Sequence, residues 1–184
     1  MRQTRLSCGH RIDILTKQDF GAAYRAINDA ASAYSGVIPD DCWHEPYMPR
    51  GELAEEIAAG VVFLGYWVDT KLVGVMGMQA VQDVTLIRHA YVLNQCQRKG
   101  FGSALLREII GAARWPLLVG TWAAARWAID FYRRHGFEQV EGDAGIQLLR
   151  RYWRIGERQI ETSVVLRLVS GEKIPPENGW KDVR

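Results

Sequence analysis

Three apolar segments lie close together in the middle of the chain and constrain its fold more than any other feature. They are VVFLGYWV (61–68), KLVGVMGMQAV (71–81) and VTLIRHAYVL (84–93). Each is dense in β-branched and aromatic residues, which favour strands, and Asp69 with Thr70 provides a tight connection between the first two. The pattern predicts a hairpin extended by a third long strand, which is an antiparallel meander.

Periodicity and helix breakers predict the elements on either side of the meander. We predict strands at 11–15, 117–122, 137–140 and 160–168, a loop at 34–50, and helices at about 16–31, 51–59, 123–136, 145–153 and from 101 to the Trp115-Pro116 break. The resulting fold class is α+β (α/β mixed), with the meander preceding a strand-helix-strand-helix-strand half in a mixed sheet. We expect a single domain over 1–169 and a loose C-terminal tail at 170–184.

Composition excludes several classes of function. The 184 residues are 48% apolar, which is ample for one globular core. Lys and Arg number 23 against 21 Asp and Glu, so the net charge of +2 creates no broad field for nucleic acid or a membrane. No apolar run approaches the ~20 residues of a membrane span. Three cysteines, Cys8, Cys42 and Cys96, suit free thiols better than a disulfide framework, which favours a cytoplasmic location.

The stretch NQCQRKGFGSALLREII (94–110) joins the meander to an apolar-periodic helix. The first amides of a helix lack intrahelical partners, and the helix dipole makes that end attractive to anions. Gly100 and Gly102 lack a Cβ and permit close approach of a ligand, while Arg98 and Lys99 add positive charge. This geometry suits a pyrophosphate. A plain strand-to-helix turn with two solvated cations is the alternative.

Two other phosphate-binding motifs do not fit this stretch. A P-loop requires GxxxxGK followed by Ser or Thr, and that lysine is missing. A dinucleotide fingerprint requires a third glycine or an alanine where this chain has Leu105, and no acid closes the 117–122 strand to bind a ribose.

From Gln97 the loop reads QxxGxG, and a second stretch, AxxFYRRHGF (128–137), follows at a suitable distance. Together they resemble motif A and the later helix-to-strand segment of the GNAT superfamily of acyl-CoA-dependent N-acetyltransferases. The resemblance is good over roughly 61–140. It implies a twisted, mostly antiparallel mixed sheet of about seven strands, flanked by about four helices. It also implies a V-shaped split between strands 84–93 and 117–122, through which acyl-CoA would thread.

The resemblance also implies which residues hold acetyl-CoA. The predicted cofactor-binding residues are Tyr91, Val92, Gln97, Arg98, Lys99, Gly100, Phe101, Gly102, Ser103 and Ala104. The backbone amides of the loop would bind the pyrophosphate, and the strand end at Tyr91 and Val92 would pair with the pantetheine arm. One departure is Ala125, where the family often has an Asn that contacts this arm. The Thr121 hydroxyl is a candidate replacement.

Acyl transfer to an amine requires a neutral nucleophile, a donor to the oxyanion and a proton for the thiolate. A backbone N–H near Val92 suits the oxyanion, and the resemblance places the Tyr132 hydroxyl near the CoA sulfur. Packing beside Phe131 is the alternative role for Tyr132. His89 is a candidate proton relay, and Arg88 a candidate contact for an anionic group of the acceptor. Strand alternation points them to opposite sides unless a bulge intervenes.

The loop DDCWHEPYM (40–48) contains acids among aromatic residues. In the family the corresponding segment often lines the acceptor pocket, so the predicted substrate-binding residues are Asp40, Asp41, Trp43, Glu45 and Arg88. Solvated acids are the alternative. The CxH pairs at Cys8 and Cys42 have spacing that also suits zinc, but we predict no metal.

The sequence therefore predicts an acetyl-CoA-dependent N-acetyltransferase that acts on a small-molecule or peptide amine by direct transfer in a ternary complex. A non-catalytic acyl-CoA-binding sensor or partner module is the alternative. Nucleic-acid binding through Arg98, Lys99, Arg133 and Arg134 conflicts with the near-neutral charge. We expect acetyl-CoA and an amine acceptor as partners, with no nucleic acid and no membrane. The alternating last strand and seven tryptophans are compatible with a homodimer.

Overall fold

A computed structural model describes residues 4–7, 9–113 and 116–169, and its strands form one sheet. The strands are β1 (Thr4–Ser7), β2 (His10–Ile14), β3 (Val62–Val68), β4 (Lys71–Val81), β5 (Val84–Val92), β6 (Leu117–Trp122), β7 (Phe137–Val140) and β8 (Ser163–Leu168). Their order is β1-β2-β3-β4-β5-β6-β8-β7. Every neighbouring pair is antiparallel except β5 with β6. The predicted meander is therefore β3-β4-β5.

Six α-helices flank the sheet in the described residues. They are α1 (Phe20–Ala31), α2 (Arg50–Ala58), α3 (Phe101–Ala112), α4 (Arg126–Arg133), α5 (Gly142–Tyr152) and α6 (Glu157–Glu161). Thr16 precedes α1 by one short 3₁₀ turn, and its backbone N–H and hydroxyl both donate to the Asp19 carboxylate at 2.8 Å. No helix in the described ranges has both the length and the apolar character to cross a bilayer.

The sheet opens between β5 and β6. These parallel strands pair only from Thr85 with Leu117 to Ile87 with Val119, and both strands continue beyond that point. A β-bulge interrupts β5 just where the pairing stops, because His89 and Ala90 lie opposite the single residue Met76 of β4. A bulge bends its strand and increases the local twist. The ends of β5 and β6 therefore diverge and leave a V-shaped gap.

Apolar side chains of β5, β6 and β8 alternate between two clusters on opposite faces of the sheet. Leu86 packs in a cluster with α5 and α6, whereas its neighbour Ile87 points to the other face and packs in the main cluster, which includes α3. Val165 and Leu166 of β8 divide in the same way. This period of two is the direct consequence of strand geometry. The gap consequently connects two separately covered faces.

The fold prediction is confirmed, with local corrections. Strands 117–122 and 137–140 have the predicted bounds, and the connection at Asp69 and Thr70 lies between β3 and β4. The sheet has eight strands instead of about seven because β1 was not predicted. The helix predicted at 145–153 is α5, and α6 was not predicted. The helix predicted at 123–136 is shorter and runs from Arg126 to Arg133.

The predicted strand from Ile160 is wrong at its beginning. Ile160 and Glu161 end α6, and β8 begins only at Ser163. Ile160 is buried in the cluster beneath α5, so its apolar character reflects helix packing and not strand alternation. β8 lies between β6 and β7 in the sheet, and the homodimer stays a prediction. Cys8, Trp115 and the predicted tail at 170–184 lie outside the described residues.

Two alanine substitutions on α5 test how this helix docks. Leu149 is 1% exposed in the cluster beneath α5, whereas Ile146 of the same helix is 37% exposed. Leu149→Ala is expected to lower the free energy of unfolding by about 2–4 kcal/mol, because it leaves a cavity. Ile146→Ala should lower it by less than about 1 kcal/mol. Urea unfolding followed by circular dichroism measures both, and equal losses would contradict this docking.

Candidate functional site

A cavity of about 810 Å³ occupies the gap between β5 and β6. Its lining comes from the ends of both strands, the start of α3, the segment around Tyr34 and Tyr47, α4, and the α5–α6 segment. The cavity thus reaches both faces of the sheet through one opening. Two ligands that enter from opposite faces would meet at this opening.

Two backbone torsions shape the glycine loop, residues 97–103. Arg98 has a φ of +59° and Gly100 a φ of +84°, both in the left-handed region, and Gly100 directly precedes α3. The N–H of Ala104 donates to the carbonyl of Gly100 at 3.0 Å. The three preceding amides, of the first turn of α3, have no carbonyl four residues earlier inside the helix. These donors are therefore available to an anion at the edge of the cavity.

Hydrogen bonds hold the segment before the glycine loop against α1. The carboxylate of Asp29 accepts from the N–H of Asn94 at 2.8 Å, and the Asn94 amide donates to the Asp29 carbonyl at 2.7 Å. The Gln97 amide in turn donates to the Asn94 side chain at 3.0 Å and to the Val92 carbonyl at 3.3 Å. The start of the loop is consequently anchored to α1 and to the end of β5. Asp29 and Asn94 were not predicted, because a lone Asp on a helix carries no distinctive sequence signal.

Tyr132 of α4 lines the cavity and is 4% exposed. Its ring packs edge-on against Phe131 and Phe137. Burial, with a smaller contribution from Tyr34, raises the pKa of Tyr132 well above its ordinary value. The phenol therefore keeps its proton and can act as a hydrogen-bond donor inside the cavity.

Three further aromatic residues form a wall beside Tyr132. Tyr34 stacks on Tyr47 with ring centroids 5.8 Å apart and meets the Tyr91 ring edge-on at 6.4 Å. The Trp122 indole N–H donates to the Tyr47 hydroxyl at 3.1 Å, which ties the 34–50 loop to the end of β6. Burial raises the pKa of Tyr34, Tyr47 and Tyr91. Tyr34 was not predicted as a site residue, although the aromatic content of its loop was noted.

Glu56 of α2 faces the bulge on β5. The Arg88 guanidinium donates to Glu56 Oε1 at 2.7 Å and to the Gln79 side chain at 2.9 Å. His89 Nε2 lies 3.3 Å from Glu56 Oε2, but the two atoms are not aligned as a hydrogen bond. Burial works to raise the pKa of the Glu56 carboxyl, but the contact with His89 and the charge of Arg88 outweigh it and hold the pKa below its ordinary value. Glu56 carries no sequence signal that distinguishes it from Glu52 and Glu55.

The bulge settles the orientation of Arg88 and His89. Strand alternation predicts opposite sides, but the φ of His89 is +50° and the bulge shifts the phase. Both side chains line the cavity and both contact Glu56.

Most of the predicted cofactor-binding residues line the same cavity. The lining includes Tyr91, Val92, Gln97, Arg98, Gly100, Phe101, Gly102 and Ser103. Lys99 is exposed outside the lining, and Ala104 is buried in the main core. Their predicted roles stay predictions.

The predicted substrate-binding residues of the 40–48 loop lie apart from the cavity lining. Asp41 pairs with Arg158 of α6 at 3.0 Å, Asp40 lines a separate surface depression, and Glu45 is exposed. Trp43 does not line the cavity either, but it packs against Tyr47, which does. The loop therefore brings tyrosines and not carboxylates to the gap.

Ala125 is fully buried immediately before α4, so its methyl group fills space that a larger side chain would need. Thr121 lines the cavity, and its hydroxyl is a hydrogen-bond partner of Tyr34. Within the described ranges no group of three or more His, Cys, Asp and Glu side chains is arranged to hold a metal ion. His44 Nδ1 contacts the Pro46 carbonyl at 2.8 Å instead.

Comparison with known proteins agrees with this geometry. Residues 60–139 match the family model described as an acetyltransferase (GNAT) domain, and this span includes the meander, the glycine loop and α4. No curated protein sequence matches the chain. Over residues 60–139 this chain is therefore similar to the GNAT acetyltransferases.

Solved structures share the fold. The PaiA N-acetyltransferase of Thermoplasma acidophilum, solved in complex with coenzyme A, is 16% identical with a TM-score of 0.67, and the match covers 86% of this chain and 98% of that one. The ribosomal-protein-S18-alanine N-acetyltransferase of Escherichia coli is 20% identical with a TM-score of 0.61, covering 90% and 98%. An acetyltransferase of Streptococcus agalactiae is 14% identical with a TM-score of 0.67, covering 88% and 99%.

Removing the Glu56 charge tests the contact between α2 and the bulge. Glu56→Gln is expected to lower the free energy of unfolding at neutral pH by roughly 1–3 kcal/mol, because Arg88 loses its counter-ion in a partly buried position. The folded-state pKa of Glu56 lies below its unfolded value, so the carboxylate stabilises the fold above the unfolded pKa. That contribution is lost as pH falls through the folded-state pKa.

The difference between wild type and Glu56→Gln should therefore shrink between about pH 7 and about pH 3 in urea unfolding. Glu55→Gln, on an exposed neighbour in α2, is the matched control and should change stability by less than about 0.5 kcal/mol. A difference that stays constant with pH would contradict the assigned contact.

Proposed function

We propose that this protein transfers an acetyl group from acetyl-CoA to a primary amine, directly and in a ternary complex. The observation that carries the proposal is the set of unpaired amides in the glycine loop at the edge of a cavity that crosses the sheet. A cradle of backbone donors on one side and an open second side are what a two-substrate transfer requires. The match of residues 60–139 to an acetyltransferase (GNAT) domain supports the acetyl donor.

The proposed donor site fits coenzyme A by charge and by shape. The amides of Phe101, Gly102 and Ser103 lie in the first turn of α3, at the positive end of the helix dipole, where an anionic diphosphate would be stabilised. An added Cβ at Gly100 would meet no atom within 4 Å, so the space beside the loop is open to a ligand. The Thermoplasma acidophilum relative was solved with coenzyme A, which supports the same use here. The pantetheine arm would follow β5 at Tyr91 and Val92.

The reaction needs only groups that the cavity holds. The lone pair of the neutral amine attacks the thioester carbonyl carbon, and a C–N bond forms. The carbonyl oxygen gains negative charge, which a free backbone N–H on the diverging end of β5 near Val92 would stabilise. The C–S bond then breaks, coenzyme A leaves as a thiolate that gains a proton, and the amine nitrogen loses one.

We assign the protonation of the leaving thiolate to Tyr132. Its raised pKa means that a full proton transfer is less favourable than for a solvated phenol, but burial also raises the pKa of any thiol beside it. The protonated phenol therefore stabilises the leaving sulfur by hydrogen bonding and supplies its proton as the products separate.

We assign the role of accepting the proton from the amine to His89. Glu56 Oε2 lies 3.3 Å from Nε2, so a proton on that nitrogen would face the carboxylate, and Nδ1 would be the acceptor for the proton of the amine. The stacked ring of Phe63, with its centroid 5.8 Å away, supports the imidazole plane. In this assignment Glu56 orients the base and does not touch the substrate.

A methyl group at Gly102 tests the donor site without disturbing the fold. Its Cβ would lie 3.6 Å from Phe131 and Val92 atoms, an ordinary contact, and alanine favours helix. Gly102→Ala is expected to remain as stable as wild type but to weaken coenzyme A binding by about tenfold or more, because the methyl displaces a phosphate from its donors. Isothermal titration calorimetry measures the affinity.

Gly111→Ala, near the other end of α3, is the matched control, because its Cβ would enter open space. It should bind coenzyme A like wild type. Equal affinity in all three proteins would place the diphosphate elsewhere.

Tyr132→Phe tests the proposed chemistry. Loss of the phenol proton is expected to lower kcat by about 10- to 1,000-fold while coenzyme A affinity changes less than about twofold. Tyr152→Phe is the control, because the Tyr152 hydroxyl bonds to Asp83 at 2.8 Å outside the cavity lining. Thiol release from acetyl-CoA measures turnover. An unchanged kcat would exclude Tyr132 as the donor, and no turnover in any variant would favour an acyl-CoA sensor.

A further inference from the structure

The cavity has a second part on the face of the sheet that α5 and α6 cover. Its wall, here called the acceptor wall, consists of Leu149, Trp153, Ile155, Gln159 and Ser163. These residues belong to the helical segment that joins β7 to β8 and to the first position of β8. The glycine loop lies at the start of α3, which packs in the cluster on the other face.

The acceptor wall is rigid where it meets the strands. A Cβ added at Gly120 of β6 would lie 3.1–3.3 Å from three atoms of the Trp153 indole, so the indole packs directly on the strand backbone. Trp153 and Leu149 are also part of the buried cluster beneath α5. The apolar surface of this compartment is therefore preformed and does not depend on loop closure.

The charged side chains around the cavity provide no free counter-ion for an ammonium group of the acceptor. Among the described lining residues the cationic side chains are Arg88, Arg98 and Arg134, and the carboxylate is Asp130. Asp130 is on α4, whose buried residues pack in the opposite cluster from the acceptor wall. Glu56 contacts Arg88 and His89 with its two oxygens, so it is already neutralised. An ammonium group in this compartment would find no free counter-ion.

We propose that the acceptor is a monoamine, one primary amine on a flat apolar body, which binds against the acceptor wall on the α5–α6 face. This inference rests on the proposed acetyl transfer and names the substrate class for it. Trp153 and Ile155 supply apolar contact, and Gln159 and Ser163 supply neutral hydrogen-bonding groups. Acidic residues are typical of sites for cationic substrates, but Asp41 pairs with Arg158 and Asp40 lines a separate depression, so neither carboxylate lines this compartment.

The apolar wall also helps the chemistry. Burial disfavours the charged form of an alkylamine and lowers its pKa, which increases the fraction of neutral amine that can attack. The amine then forms the C–N bond, loses its proton to His89, and the C–S bond breaks with a proton returned to sulfur. A diamine would have to bury its second ammonium without a partner, at a large desolvation cost.

The test compares two probe amines at saturating acetyl-CoA. The probes are 2-phenylethylamine, with one amine on a flat apolar body, and 1,4-diaminobutane, with two amines and no ring. We expect kcat/KM to be higher for 2-phenylethylamine by about tenfold or more, the effect of one unpaired buried charge. Equal values, or a preference for the diamine, would overturn the inference while leaving the acetyl transfer intact.

A second test changes the charge of the acceptor wall with a substitution that keeps the size of the side chain. Gln159→Glu is nearly isosteric and introduces a carboxylate on the acceptor wall, so the ratio of kcat/KM values should shift toward 1,4-diaminobutane by roughly tenfold. Gln147→Glu, on an exposed position of α5 away from the lining, is the matched control and should leave the ratio unchanged. An unchanged ratio in Gln159→Glu would place the acceptor elsewhere.

Failure of the inference and failure of the acetyl transfer give different results. Turnover with the diamine but not with 2-phenylethylamine contradicts only the acceptor class. Coenzyme A binding without turnover of either probe, or of a wider amine panel, contradicts the transfer and with it the acceptor class.

Discussion

The short parallel pairing between β5 and β6 is the constraint on which the rest of the structure depends. Only three residue pairs join the two strands, from Thr85 with Leu117 to Ile87 with Val119. Longer pairing would close the gap and bury the amides at the strand ends, while weaker pairing would separate the two halves of the sheet. The bulge at His89 and Ala90 ends this pairing and also turns two side chains toward the opening. One local irregularity thus creates the cavity and supplies its polar groups.

The sequence predicts the features that depend on local periodicity. The meander, the helix after the glycine loop and the strands at 117–122 and 137–140 all follow from runs of apolar residues and their breakers. The start of β8 could not be predicted, because Ile160 continues the alternation of β8 although it belongs to α6. The bulge could not be predicted from the sequence either, because the positive φ of His89 depends on the pairing with the partner strand and not on the residue type.

The candidate site likewise contains some residues that the sequence could indicate and others that it could not. Residues within one contiguous motif, such as Gln97 to Ser103, could be proposed from the QxxGxG pattern and its resemblance to GNAT motif A, and most of them line the cavity. Residues brought together by the tertiary structure could not be, because Glu56, Tyr34 and the acceptor wall come from separate elements with ordinary local sequence. The acidic loop shows the converse error: its composition indicated carboxylates at the cavity, but its tyrosines are the residues that reach it.

The contact between Asp29 and Asn94 has a mechanical consequence. Asp29 is on the last turn of α1, and the same helix leads within a few residues to Tyr34, which packs on Tyr91 and Trp127. The short segment from Asp29 to Tyr34 therefore connects the anchor of the glycine loop to the aromatic lining of the gap. Under the proposed function, a shift of this segment would move both the coenzyme A site and the aromatic lining, so we expect the two substrates to bind as thermodynamically linked ligands.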